Sequence, residues 1–313
     1  MTTGLLLVDK PQGLTSHDVV ARARRALNTR KVGHAGTLDP MATGLLTLGA
    51  GPSTRLLTYL VGLDKTYETT MRLGAATTTD DAEGEVVSTA EPAAIAAVTE
   101  EQLAAGIRAL TGEIDQRPSS VSAIKVDGKR AYDRVRAGEE VELASRRVTI
   151  SAFEVLAVRR TATAIEVDAR IDCSSGTYIR ALARDLGAAL GIGGHLTALR
   201  RTRVGPFDVA DAVSLEALAE QGASLLASPA EVAARLFPVL EVDAAQARDL
   251  GHGKLLSLPE HPDAEPVAAI ERGAGGGSAS AQHPDRLVAL ISVRAGRGRT
   301  LVGFPNDQQE APQ

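Results

Sequence analysis

The segment Gly33-His34-Ala35-Gly36-Thr37-Leu38-Asp39-Pro40-Met41-Ala42-Thr43-Gly44 sets one carboxylate among glycines and directly before a proline. Proline fixes the backbone after Asp39 and the glycines permit tight turns, so the side chain can project into a cleft as a nucleophile or base. The same residues also suit an aspartate that only caps a turn, and composition does not choose between the two.

Around this segment the cations are grouped. Arg22, Arg24, Arg25, Arg30 and Lys31 form one cluster, Arg117, Lys125, Lys129, Arg130, Arg134 and Arg136 a second, and Arg200, Arg201 and Arg203 a third. The net charge of -5 argues against a surface that binds nucleic acid everywhere, and acidic residues gather at Asp80 to Glu85 and beyond residue 208. Any one cluster reads equally well as a solvated face, but three of them flanking the informative motifs favour a surface that tracks phosphates.

Other chemistry is thinly supplied. The single cysteine, Cys173, excludes an internal disulfide, and its alternating surroundings from Ile165 favour a buried strand thiol over a reactive one. The six histidines are scattered without the paired spacing of a zinc site, so no metal is expected. Gly191-Ile192-Gly193-Gly194 lacks the spacing and strand context of a dinucleotide fingerprint, so no nucleotide cofactor is expected. No stretch approaches the roughly 20 apolar residues of a membrane span, and the reading is a soluble, cytoplasmic protein.

The elements that carry these residues alternate between helix and strand. Leu5 to Val8 reads as a strand, Lys10-Pro11-Gln12-Gly13 as a turn, and Thr15-Ser16 as the cap of a helix whose Val20, Ala23 and Leu27 share a face. Gly33 to Gly44 reads as a loop, or a loop leading into a short element, rather than a regular helix. Tyr67 to Leu73 has the period of a strand, and Thr99 to Leu110 is a helix with Thr99 and Gln102 at capping-box spacing. Val148 to Val158 and Ile165 to Cys173 are strands joined too closely for a parallel crossover. A helix follows Gly176, with Ile179, Leu182, Ala183, Leu186 and Leu190 in one stripe.

The pattern predicts an α+β domain with a mixed or antiparallel sheet. It restarts near Phe237-Pro238 with short strands at Val239 to Val242, Val267 to Ile270, Leu287 to Val293 and Thr300 to Phe304, which predicts a small β-rich second domain. Residues 1-236 and 237-313 are the two expected units, with Gly273 to Ala281 a flexible loop in the second.

The segment around Asp39 resembles the signature of the tRNA pseudouridine synthase B family, G-H-x-G-x-L-D-P-x-A-T-G-x-L. Further blocks follow in the family's order: Lys10-Pro11-Gln12-Gly13 with Thr15-Ser16, Lys65-Thr66-Tyr67 leading to Arg72-Leu73-Gly74, and Arg117-Pro118 through Ser122 to Gly128. Gly176-Thr177-Tyr178-Ile179-Arg180 with Asp185-Leu186-Gly187, and Leu199-Arg200-Arg201-Thr202, complete the series. The resemblance spans roughly residues 4 to 208.

It implies an isomerase that converts uridine 55 in the TΨC arm of tRNA to pseudouridine without a cofactor. By the same resemblance Asp39 is the catalytic carboxylate and Arg180 its charge partner, although Arg180 by itself reads as an exposed helix arginine. The target base must be flipped out of the folded loop. Tyr67 then resembles the stacking tyrosine, Tyr178 and Leu199 map onto further substrate-contacting positions, and His34 maps onto a histidine that enters the RNA loop. The segment from about 117 to 136 resembles the family's mobile thumb, inserted in the catalytic domain, and the second domain resembles a PUA-like module. The expected partner is the tRNA TΨC stem-loop, with no membrane, no obligatory protein partner and a monomeric chain.

Two other classes fit part of the sequence. A tRNA-binding or tRNA-folding protein would use the same RNA contacts without needing Asp39. A glycoside-processing enzyme acting on small nucleosides would also place a carboxylate at a glycosidic bond, but no second carboxylate is assigned and the basic clusters favour a polyanion.

Overall fold

The computed structural model describes residues 2–119, 144–273 and 285–305, together with the backbone of 125–126 and 129–130. The apolar alternation of Lys65–Leu73 makes it a strand with a buried face of Tyr67, Met71 and Leu73 and an outer face of Glu68, Thr70 and Arg72. It is hydrogen-bonded on both sides, to Ile165–Cys173 and to Gly194–Val204, both antiparallel. Those strands extend into a nine-stranded sheet in the order Gly4–Lys10, Thr43–Ala50, Gly194–Val204, Lys65–Leu73, Ile165–Cys173, Arg146–Arg160 and Gly112–Gln116. Val32–Ala35 and Phe207–Asp208 pair off this path.

One parallel junction makes the sheet mixed. Arg200 and Arg201 pair with Thr43 and Gly44, at the point where the strand after Asp39 meets the strand carrying Leu199. Gly44 has φ +97, and a Cβ there would lie 2.2 Å from the Arg201 carbonyl oxygen, so only glycine allows this approach.

Helices cover the inner face. Ser16–Ala26 starts at Thr15, whose side chain and Asp18 form a reciprocal cap, and it buries Val19, Val20 and Ala23. Glu100–Ala109 has the expected Thr99–Gln102 capping box. Ile179–Ala189 packs Ile179, Leu182, Ala183 and Leu186 into the same core. Its Gly187 touches the turn before Gly194 so closely that an added Cβ would lie 2.2 Å from the Gly193 backbone.

A second, five-stranded sheet runs in the order Val239–Val242, Ala264–Glu271, Arg286–Arg294, Arg297–Gly303, Leu256–Ser257. One of its faces is continuous with a core that includes Leu5, Leu45, Leu56 and Leu60 of the first part, through Ala268, Ile270, Leu287 and Leu290. Among the described residues no helix is long and apolar enough to cross a membrane.

Several expectations change. In Gly33 to Gly44 a short element precedes the loop as well as following it: Val32–Ala35 is a strand, because its backbone can pair with Thr47 to Ala50, and the stretch from Gly36 to Ala42 is irregular. The last strand is Arg297–Gly303 rather than one from Thr300 to Phe304. Cys173, by contrast, is the buried strand thiol expected, and burial pushes it up to about 11. Most of the expected thumb at about 117–136 lies outside the described residues, from 120 onward, apart from the paired backbone of Lys125–Val126 and Lys129–Arg130. The Gly273 to Ala281 loop lies outside them beyond Gly273.

Candidate active site

The irregular stretch from Gly36 to Ala42 has few partners of its own, and buried carbonyls without donors are costly. Three side chains and one backbone N–H supply what it lacks. Ser16, in the first helical turn, accepts the Leu38 N–H at 2.9 Å and donates its hydroxyl to the Leu38 carbonyl at 3.1 Å. Lys10 is fully buried and donates to the carbonyls of Leu14 at 2.7 Å, Pro11 at 3.0 Å and Pro40 at 3.3 Å. The Gly13 N–H adds a bond to Pro40 O at 2.8 Å. Arg201, 1% exposed, donates to Leu45 O at 2.8 Å, Gly36 O at 2.9 Å and Thr37 O at 3.5 Å. Asp39 thus sits on a backbone clamped on both flanks.

Its carboxylate faces a cavity of about 270 Å³. Arg180 Nε lies 3.1 Å from Asp39 Oδ2, and the same guanidinium reaches Asp81 Oδ2 at 3.2 Å and the Thr79 carbonyl at 2.8 Å through Nη1. Arg180 and Asp81 side chains are each 4% exposed, whereas Asp39 is 39% exposed. A single buried cation is therefore shared between a buried carboxylate that anchors it and an accessible carboxylate that it serves as counter-charge. Asp81 is fixed in turn by the Thr79 hydroxyl at 2.5 Å and the Glu83 N–H at 3.1 Å.

Tyr67, Tyr178 and Leu199 complete the walls, with Lys65 and Arg146 among the other lining residues. Burial pushes the Tyr67 hydroxyl up, against the opposing charge of Arg201. Lys65 donates to the Val61 and Leu63 carbonyls at 2.6 and 2.5 Å, and burial lowers its ammonium to about 8. Lys10 is lowered to about 8 for the same reason, with the Asp39 charge opposing the drop. Gln116 bonds both backbone groups of Tyr178, accepting its N–H at 2.8 Å and donating to its carbonyl at 3.0 Å.

Asp39, Tyr67, Tyr178, Arg180 and Leu199 are thus brought to one cavity. His34 is not among its lining residues: its half-buried ring meets His17 edge-on with centroids 5.6 Å apart, and burial lowers its pKa. Arg180 is buried, not the exposed helix arginine its sequence position allows. Two groupings made from sequence dissolve. Asp81, read with the acidic stretch Asp80 to Glu85 set apart from the motifs, is in the site. The third basic cluster divides: Arg201 is buried on carbonyls, whereas Arg200 and Arg203 are part-exposed and pair with Asp9 at 2.7 Å and Asp172 at 3.5 Å. Ser16 and Gln116 were not singled out as functional, and no periodicity marks them; only the block order around Thr15-Ser16 and the stretch before Arg117 points near them.

With this geometry in hand, comparison with known proteins decides the lineage. Residues 24–179 match the TruB family pseudouridylate synthase N-terminal domain, and residues 180–239 match the tRNA pseudouridylate synthase B C-terminal domain. A tRNA pseudouridine synthase B from Leifsonia xyli subsp. xyli is 61% identical over 308 residues, covering 98% of each chain. The chain belongs to the TruB family of pseudouridylate synthases. A second relative of the same name, from an Arthrobacter species, is 54% identical over 313 residues and 99% of each chain. Among solved structures, an H/ACA RNP bound to a substrate RNA containing 2′-deoxyuridine matches with a TM-score of 0.67 and 25% identity, over 98% of this chain and 86% of that one. An archaeal box H/ACA sRNP Nop10-Cbf5 complex matches with a TM-score of 0.65 and 25% identity, over 96% and 85%.

Proposed function

We propose that this TruB-family chain is an isomerase that converts uridine 55 in the TΨC arm of tRNA to pseudouridine, with Asp39 as nucleophile and the target base flipped into the cavity. The observation that carries the reading is the accessible Asp39 carboxylate 3.1 Å from a buried arginine, at the wall of a cavity of about 270 Å³. That volume suits one extruded nucleotide and excludes a duplex. Pseudouridine formation breaks the bond between C1′ and N1, turns the uracil, and joins C5 to C1′; the C5 hydrogen leaves to solvent and N1 gains one.

Asp39 acts on the nucleotide while Arg180, anchored by Asp81, supplies a fixed counter-charge with little reorganisation. Tyr67 stacks on the base, Tyr178 and Leu199 bound the site, and His34 enters the RNA loop from outside the cavity. The clamps on Leu38 and Pro40 hold the carboxylate at a set distance from the reacting carbon. We assign residues 1-236 to the catalytic domain, with the thumb at about 117-136, and 237-313 to a PUA-like domain. The chain acts on tRNA in the cytoplasm as a monomer, with no protein partner required.

Tritium release from tRNA transcribed with 5-tritiated uridine tests this reading. Release is expected from the wild type and lost both with Asp39→Asn and with a transcript altered at position 55. Tight tRNA binding without release would replace it with a tRNA-binding or tRNA-folding role.

A further inference from the structure

The lining residue Arg146 has no part in the chemistry above. It opens the strand Arg146–Arg160 and stands opposite Gln116 in the strand register, the residue that pins both backbone groups of Tyr178. Its guanidinium carbon lies 5.1 Å from the centre of the Tyr178 ring. A Cβ at Gly176 would meet Arg146 Nη1 at 3.6 Å, so the guanidinium runs along the glycine turn that leads to Tyr178.

The other cations of the cavity are committed. Arg180 serves Asp39 and Asp81, Arg201 serves three carbonyls, and Lys65 serves two. Among the described residues no carboxylate pairs with Arg146. A guanidinium held against an aromatic ring keeps its N–H edge available in its own plane, which is the geometry that receives a phosphate by two parallel bonds.

We infer that Arg146, seated on the Tyr178 ring, binds a phosphate flanking the uridine that occupies the cavity. The inference rests on the RNA-modifying reading above and adds to it the residue that grips the backbone of the flipped nucleotide. The grip sets how deep the sugar sits, because the phosphate cannot enter the cavity behind the base.

The test uses the full chain and a T-arm stem-loop RNA, with kcat/KM measured across a salt series for the wild type, Arg146→Gln and Arg146→Lys. Two further stem-loops carry an uncharged methylphosphonate linkage on the 5′ or the 3′ side of the target uridine. Arg146→Gln is expected to lower kcat/KM roughly ten- to a hundredfold and to flatten the salt dependence by about 0.7 in log-log slope, the loss of one single-strand phosphate contact. Arg146→Lys restores the slope but only part of the rate, since it lacks the planar fork. One of the two uncharged linkages should cost the wild type a similar factor and cost Arg146→Gln nothing more. An unchanged salt slope, with both linkages costing wild type and variant equally, would show that Arg146 only steadies Tyr178 and overturns the inference. Failure of the wild type to release tritium from the unmodified stem-loop would overturn the functional reading and this inference together.

Discussion

The two faces of the Lys65–Leu73 strand use charge in opposite ways. On the inner side, Arg180 and Asp81 are buried, and Lys10 and Arg201 beside them spend their donors on backbone carbonyls, so that Asp39 is the accessible charge of the group. On the outer side, Arg72, Glu166, Arg159 and Asp168 form a ladder of ion pairs, with Arg72–Glu166 at 3.2 Å and Arg159 bridging Glu166 and Asp168. These outer side chains are 28–49% exposed. Water screens the ladder, so it contributes little energy and fixes little geometry. The buried set is costly to assemble and costly to break, which is what holds one carboxylate in one place.

The contrast is sharpest at Arg180. Arg180→Met leaves Asp81 buried without its cation and Asp39 without its counter-charge, and is expected to abolish pseudouridine formation and to cost about 3–5 kcal/mol in denaturant unfolding. Ser16→Ala comes next. It strips both bonds from Leu38 and leaves a buried N–H without an acceptor, for an expected loss of about 1–3 kcal/mol. Because the loop then wanders, single-turnover kcat should fall while tRNA affinity holds; an equal change in both would make Ser16 a purely structural residue.

The buried lysines give a smaller, pH-dependent effect. The Lys10 ammonium is lowered from 10.5 to about 8 by burial. Between those values the unfolded chain holds more protons than the folded one, so this group makes stability rise with pH across that window. The rise is limited because three carbonyl bonds favour the ammonium, and Lys10→Met should flatten it in urea titrations at several pH values. The smallest effect belongs to the outer face: Arg72→Ala should change stability by less than about 1 kcal/mol and leave kcat/KM alone. A large loss there would erase the distinction between the faces.

What the sequence disclosed follows the same division. Local signals were readable: the Thr99–Gln102 cap, the period of Tyr67 to Leu73, the stripe of Ile179, Leu182 and Leu186, and the mixed sheet they predict all stand in the fold. The placement of Asp39 at a cleft was readable from its glycine and proline setting joined to the family signature. Asp81 was not, because its meaning depends on a helix about a hundred residues later, and a run of acidic residues looks the same whether solvated or buried. Arg201 was misjudged for the same reason: its partners are carbonyls of Gly36, Thr37 and Leu45, and main-chain acceptors leave no trace in side-chain composition.

The most direct test of the account is a single-turnover comparison of the wild type with Asp39→Asn, in which the rate of pseudouridine formation and the affinity for tRNA are measured on the same samples. Asn keeps the size of the side chain and removes its charge, so the account predicts no detectable product with tRNA affinity changed by no more than a few-fold. Product formation by Asp39→Asn at a rate within about tenfold of the wild type, less than roughly 1.4 kcal/mol of transition-state stabilisation, would contradict it.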